Sequence, residues 1–120
     1  MIEIMPESNR LALILKATGK LTDADYKDVL IPGIEEIIKR SGKANVLLYL
    51  PQDFVGWDAH AMWDDARFGL RHRNDFEKLA VVGGAKWVEW ATKIAARFMK
   101  GEVKTFPEDQ LQQAVDWVKV

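Results

Sequence analysis

Three features of the sequence predict an α/β fold with a mixed, mostly parallel sheet of about five strands and four helices, in the order β-β-α-β-α-β-α-β-α. The runs NVLLYL (residues 45–50) and KLAVV (78–82) are short, continuously apolar and bounded by glycine or proline, the pattern of strands buried on both faces. Helical stretches separate successive strand-like runs, which implies parallel pairing through crossover helices. At the N-terminus, two apolar runs flank PESN, whose proline, serine and asparagine are turn residues.

The elements follow in order. IEIM (2–5) and RLALILKA (10–17) read as paired strands. A helix is expected over 22–41, where Thr22 is placed to cap, Asp25 supplies the reciprocal acid of a capping box, and Gly42 stops it. Its apolar face is Tyr26, Val29, Leu30, Gly33, Ile34, Ile37 and Ile38. Pro32 lacks an N–H and crowds the preceding turn, so a kink or break is expected near 29–33. After the strand at 45–50, residues 52–57 read as a loop and 58–71 as a helix. HRND leads to the strand at 78–82, which ends in Gly83 and Gly84. A third helix, 86–100, stops at Gly101, and EVKTF (102–106) alternates like an edge strand. Pro107 opens a last helix, with acids in its first turn where the helix dipole favours them. No linker or repeat divides the chain, so residues 1–120 form a single domain.

Bulk properties narrow the function. Seventeen basic residues against eighteen acidic ones leave a net charge of -1, so no overall field draws the chain to nucleic acid. The basic stripe that exists is one helix face, without aromatics interleaved on strands as stacking platforms, and no nucleic-acid partner is expected. The absence of cysteine excludes disulfides, thiolate catalysis and cysteine metal sites. MIEIMPES lacks a signal-peptide pattern, and no apolar run approaches the ~20 residues that span a bilayer. A cytoplasmic location is expected, the inner face of the membrane included.

Four stretches, YKDVLIPGIEEII, VLLYLPQDFVGWD, LAVVGGAKWVEW and VKTFPEDQLQQAVDWV, resemble the SpoIIAA-like proteins of the STAS-related fold, in a small bacterial branch, over essentially the whole chain. The ending is the most telling: a short strand, Phe106 and Pro107, then an acidic turn into a helix with Ala114 and Trp117. The resemblance implies the fold and carries no catalytic signature. In STAS proteins that act as anti-sigma-factor antagonists, the loop after the equivalent strand carries a phosphorylated serine. Here that loop, PQDFVGWDAHAM, has no serine or threonine, so the phospho-switch does not transfer. The two serines, Ser8 and Ser41, fall in a turn and at a helix end. Relatives of this broad fold resemble the CRAL-TRIO lipid-binding architecture, which by analogy implies an apolar ligand.

Chemistry centres on FVGWDAHAMWDD (54–65). His60 lacks a nucleophile partner, and with Asp64 it supplies only two metal ligands, while His72 lies off any ligand spacing. Asp64 and Asp65 are adjacent on a helix and point ~100° apart, so they do not converge on one proton. No catalytic residue, metal or cofactor is expected, and Asp53, Asp58 or His60 would serve an enzyme only if a cavity brought them together. In the second helix, Ala59, Met62, Trp63, Ala66 and Leu70 form a stripe expected to pack on the sheet, with Phe68 projecting from the opposite, charged side. Gly83, Gly84 and Lys86 read as a tight turn before the third helix rather than an anion cradle.

That third helix carries Lys86, Glu89, Lys93, Arg97 and Lys100 on one side and Trp87, Ala91, Ile94, Ala95 and Phe98 opposite, with Trp90 at the boundary. From Lys86 to Lys104, five basic residues against two acids give a local balance of +3. A basic, tryptophan-bearing amphipathic helix suits a membrane interface. The expectation is a non-enzymatic binding module for an apolar or lipid-like ligand, associating peripherally with membranes. Its ligand residues would be Phe54, Trp57, Met62, Trp63, Trp87, Trp90, Ile94 and Phe98, and its membrane face Lys86, Trp90, Lys93, Arg97 and Lys100. The alternative is a STAS-type regulatory domain that binds a protein partner without the phosphorylated serine. A buried cavity between the second and third helices and the sheet would favour the first, and a flat exposed patch including Phe68 the second. The EVKTF edge and Phe68 also make a homodimer an expectation.

Overall fold

A computed structural model describes the backbone of all residues except Arg10, Leu11, Arg73, Ala85 and Phe98, and the side chains of those described except Leu70, Trp87, Trp90, Ala91, Ile94 and Ala95. Five strands form the main sheet: β1 (Ile2–Ile4), β2 (Leu13–Ala17), β4 (Ala44–Leu50), β6 (Phe76–Gly83) and β7 (Glu102–Phe106), in the spatial order β1-β2-β4-β6-β7. β1 is antiparallel to β2, and every other neighbouring pair is parallel. Two further short strands, β3 (Gly19–Leu21) and β5 (Phe54–Trp57), pair in parallel as a separate ribbon. Four of the six residues expected as a loop, 54–57, are therefore strand. β3 is too short, and too poor in alternation, to be legible on its own.

Helix α1 runs through three consecutive segments, Asp23–Asp25, a π-helical turn Tyr26–Leu30, and Ile31–Ser41. Its start is the expected capping box: the Asp25 N–H donates to Thr22 Oγ1 at 3.3 Å and the Thr22 N–H to Asp25 Oδ2 at 2.9 Å. Its end is Gly42 at φ 79°, a left-handed cap that glycine adopts without strain. The π turn answers Pro32. Proline cannot donate back along the helix, and immediately before it the Ile31 N–H reaches the Tyr26 carbonyl, widening the helix by one residue instead of breaking it. Helices α2 (Ala59–Arg71), α3 (Lys86–Ala96) and α4 (Leu111–Lys119, after a 3₁₀ turn at Glu108–Gln110) complete the chain.

Strand alternation divides the core. Leu13, Leu15, Val46, Leu50 and Val81 point to one face, where Tyr26, Leu30, Ile34, Ala61, Phe68 and Val88 pack. Ala12, Ile14, Leu47, Ala80 and Val82 point to the other, where Ala114, Val115 and Val118 pack. The asymmetry follows from topology. From β2 to β7 the strands advance in one direction across the sheet, so crossovers of one hand place α1, α2 and α3 on the same side and leave α4 alone on the other. The turn after β6 is as tight as its glycines suggest: Gly83 and Gly84 lie at φ 81° and 86°, the Gly84 N–H donates to the Leu50 carbonyl at 3.1 Å, and a Cβ on Gly83 would run into that carbonyl oxygen.

Candidate functional site

The three-helix side of the sheet is not filled. A cavity of about 430 Å³ lies between the strands and α1, α2 and α3, within the range of small-molecule sites. Its floor is Leu15 of β2, Val46, Leu48 and Leu50 of β4, Phe76, Leu79 and Val81 of β6, and Val103 of β7. Leu30 and Ile34 of α1, Ala66, Phe68 and Gly69 of α2, Val88 and Thr92 of α3, and Met99 form the roof. Much of the reason is side-chain size. Where helix meets sheet, the sequence places glycine, alanine, valine and threonine, and a side chain started at Gly69 would meet no atom within 4 Å. The void is also visible in the strands, since Leu48 and Leu79 lie in central strands yet are only partly buried.

Polar groups enter this apolar wall at one point. The Trp57 indole N–H donates to Tyr26 Oη at 2.7 Å, and the Tyr26 hydroxyl donates to Asp65 Oδ1 at 2.7 Å. Each element contributes one member: β5 the tryptophan, the π turn of α1 the tyrosine, α2 the aspartate. Asp65 lines the cavity, packed round by protein yet with accessible surface. Burial pushes its carboxyl above the ordinary range, with the Tyr26 hydrogen bond pulling partly the other way. Burial, then the Asp65 charge, raises the Tyr26 phenol as well, so it remains a donor. Thr92 is the other hydroxyl on the wall, and it donates to the Val88 carbonyl of its own helix at 2.8 Å.

Asp64 turns the other way. It faces Asp23 of α1, whose carboxyl is the chief cause that raises Asp64, while Asp23 is lowered by Asp64 and by Lys27, which lies 3.1 Å from it. The two adjacent aspartates do diverge, one to the cavity and one to the α1–α2 junction. His60 is exposed. His72 contacts Asp75 at 2.8 Å and Glu35 at 3.5 Å, with its ring tilted against Phe68. Among the described residues, no group of three or more metal-ligating side chains converges.

The expected site residues divide. Trp57 lines the cavity, with Phe54 edge-on to it at 5.1 Å behind the wall. Met62 and Trp63, expected in the core, are instead 59% and 65% exposed, and Phe68, expected outside, is 7% exposed and packs on Phe76. The second helix therefore turns Met62 and Trp63 outward, although Ala66 of the expected stripe does line the cavity. Its inner positions are Ala61 and Phe68, both buried, with Asp65 between them in register, turned to the cavity and bound by the Tyr26 hydroxyl. The side chains of Trp87, Trp90, Ile94 and Phe98 lie outside the described residues. Lys86, Lys93, Arg97 and Lys100 are exposed, and Lys93 pairs with Glu89 at 3.2 Å. Asp65, Tyr26 and Gly69 were missed as site residues. An aspartate in helical register with Ala61 and Phe68 was the available signal.

The raised Asp65 carboxyl makes stability depend on pH with a defined sign. Its folded value lies above the unfolded one, so the folded chain binds the proton more tightly and Asp65's contribution declines as pH rises from the ordinary carboxylate range through the folded value. Asp65→Asn keeps an acceptor for Tyr26 but removes the titration. The urea midpoint of D65N should exceed that of the parent at pH 8, and the gap should shrink toward pH 4. A gap independent of pH would mean that Asp65 titrates as an ordinary solvated carboxyl.

Comparison with known proteins bears on the fold. The family model described as SpoIIAA-like matches residues 12–119. No curated protein matches. Four chains of solved structure match. One of them is an uncharacterised protein of the DUF3478 family with a SpoIIAA-like fold, from Shewanella loihica PV-4. It is 33% identical at a TM-score of 0.74, over 98% of this chain and 92% of that one. The α/β architecture and the sequence resemblance are thus one finding reached from two directions.

Proposed function

This chain belongs to the SpoIIAA-like family, and from that premise we propose that it is a non-enzymatic binding module for an apolar or lipid-like ligand held between the sheet and α1, α2 and α3. The observation that carries the reading is a cavity of about 430 Å³ between sheet and helices, lined almost wholly by apolar side chains, the size and chemistry of a small-molecule site. A wall this apolar gains little from water and much from a hydrocarbon guest. An enzyme reading finds less support, since Asp65 is the one ionisable side chain among the described lining residues and no nucleophile stands beside it.

Peripheral membrane contact completes the proposal. The helices that roof the cavity present Met62 and Trp63 on α2 and the basic residues Lys86, Lys93 and Arg97 on and just after α3 to the outside. Such a face gains from both ring insertion and anionic headgroups. Among the described residues, no helix is long and apolar enough to cross a membrane. The alternative of a regulatory, partner-binding domain would have been favoured by a flat patch including Phe68, and Phe68 is buried.

Native mass spectrometry of the chain purified without denaturation should reveal a bound apolar molecule, and sedimentation with anionic vesicles should occur at low salt and be lost at high salt. A bare chain that also fails to enhance the fluorescence of a neutral apolar dye would overturn the ligand reading. Failure to sediment would remove the membrane part alone.

A further inference from the structure

The polar point on the cavity wall has a direction. An indole N–H can only donate, so the oxygen of Tyr26 must be the acceptor at its 2.7 Å contact with Trp57. The single Tyr26 proton then goes to Asp65 Oδ1, also at 2.7 Å. The chain of bonds therefore ends on an acceptor. Asp65 makes no ion pair among the described residues, and the lysine of the facing helix α1 nearest the α1–α2 junction, Lys27, pairs with Asp23. Thr92 is occupied within its own helix. One carboxyl, with acceptor capacity left over and no counter-charge, faces an otherwise apolar space.

We propose that the cavity takes an apolar molecule bearing one hydrogen-bond donor, a hydroxyl or a protonated amine, and that Asp65 is the residue that accepts it. This rests on the reading of the cavity as a ligand site and specifies the head group. A donor from the ligand would offset the burial that raises the Asp65 carboxyl. A carboxylate-headed ligand would meet like charge, and no lysine or arginine among the described lining residues is there to hold it.

The test uses probes of nearly equal length: 1-octanol, n-octylamine, heptyl methyl ether, which has the heavy-atom count of octanol but no donor, and octanoate. Each is titrated calorimetrically into the full chain at pH 8. Octanol and octylamine are expected to bind about tenfold or more tighter than the ether and octanoate, the size of one hydrogen bond to a charged acceptor. In D65N the side-chain amide still accepts from Tyr26 through Oδ1 but turns its N–H pair to the cavity, so the order should reverse, with octanoate above octylamine. Equal binding of alcohol, ether and acid by the parent overturns the assignment of Asp65 while leaving the apolar cavity standing. So does an unchanged preference in D65N. Binding of none of the four probes removes the cavity reading itself, and the head-group assignment with it. The parent series decides on its own, whatever the variant's stability.

Discussion

Phe68→Ala should destabilise the chain by about 3 to 5 kcal/mol, while Trp63→Ala, five residues earlier on the same helix, should change stability by no more than about 0.5 kcal/mol. Phe68 is buried, lies edge-on to Phe76 with ring centroids 6.3 Å apart, and carries the His72 ring against it at 4.6 Å. Its removal would deepen an existing void rather than let the wall collapse, which places the cost toward that of a full cavity. Trp63 projects into solvent, and isolated exposed aromatics contribute little to folding. Urea midpoints at constant m-value would read both. Reversed magnitudes would return α2 to the phase that its hydrophobicity alone suggests, with Met62 and Trp63 inside.

That phase is where sequence reasoning met its limit, for a physical reason. On α2 two stripes compete at helical spacing. The more apolar contains Met62 and Trp63, and the other contains Ala61, Asp65 and Phe68. Hydrophobic periodicity selects the first because it assigns an aspartate to water. The second wins because Tyr26, three elements away in the chain, brings a hydroxyl to Asp65, and Gly69, which also lines the cavity, carries no side chain to compete for the space. Such a contact spans 39 residues and leaves no local pattern. Local signals fared otherwise. The Thr22 and Asp25 capping box, the Gly42 stop, the distortion before Pro32 and the buried strands β4 and β6 all rest on interactions within a few residues or on burial of both sheet faces, and all are legible. The Phe54–Trp57 strand was not, because its partner is three residues long and lies 35 positions earlier in register, Gly19 against Phe54. The cavity's place, between helices and sheet, could be expected from the aromatic and small residues around it. Its polar point leaves a single trace, an aspartate in helical register with Ala61 and Phe68.

Gly69 offers the second large effect, because at this position stability and binding should part company. A glycine in a helix interior costs about 1 kcal/mol relative to alanine, and here a Cβ would enter open space. Gly69→Ala is therefore expected to stabilise the chain by about 1 kcal/mol and to leave most of the cavity intact. Gly69→Leu and Gly69→Phe continue into the void, adding apolar contacts to Leu79 and Val81 across it while consuming the ligand's volume. Affinity for a neutral apolar dye should fall stepwise along Ala, Leu and Phe, by roughly a hundredfold at the last, since two lost methylene-sized contacts already amount to more than tenfold. Unfolding midpoints should meanwhile stay at or above the parent's through leucine. A helix position that could be both better folded and better filled, yet is left as glycine, is what selection for an open site predicts, because stability is readily given up where function needs space. If Gly69→Phe folds and binds the dye as the parent does, the dye sits elsewhere and this cavity is not the ligand site. If alanine destabilises, Gly69 does not face open space and is not what keeps the cavity unfilled.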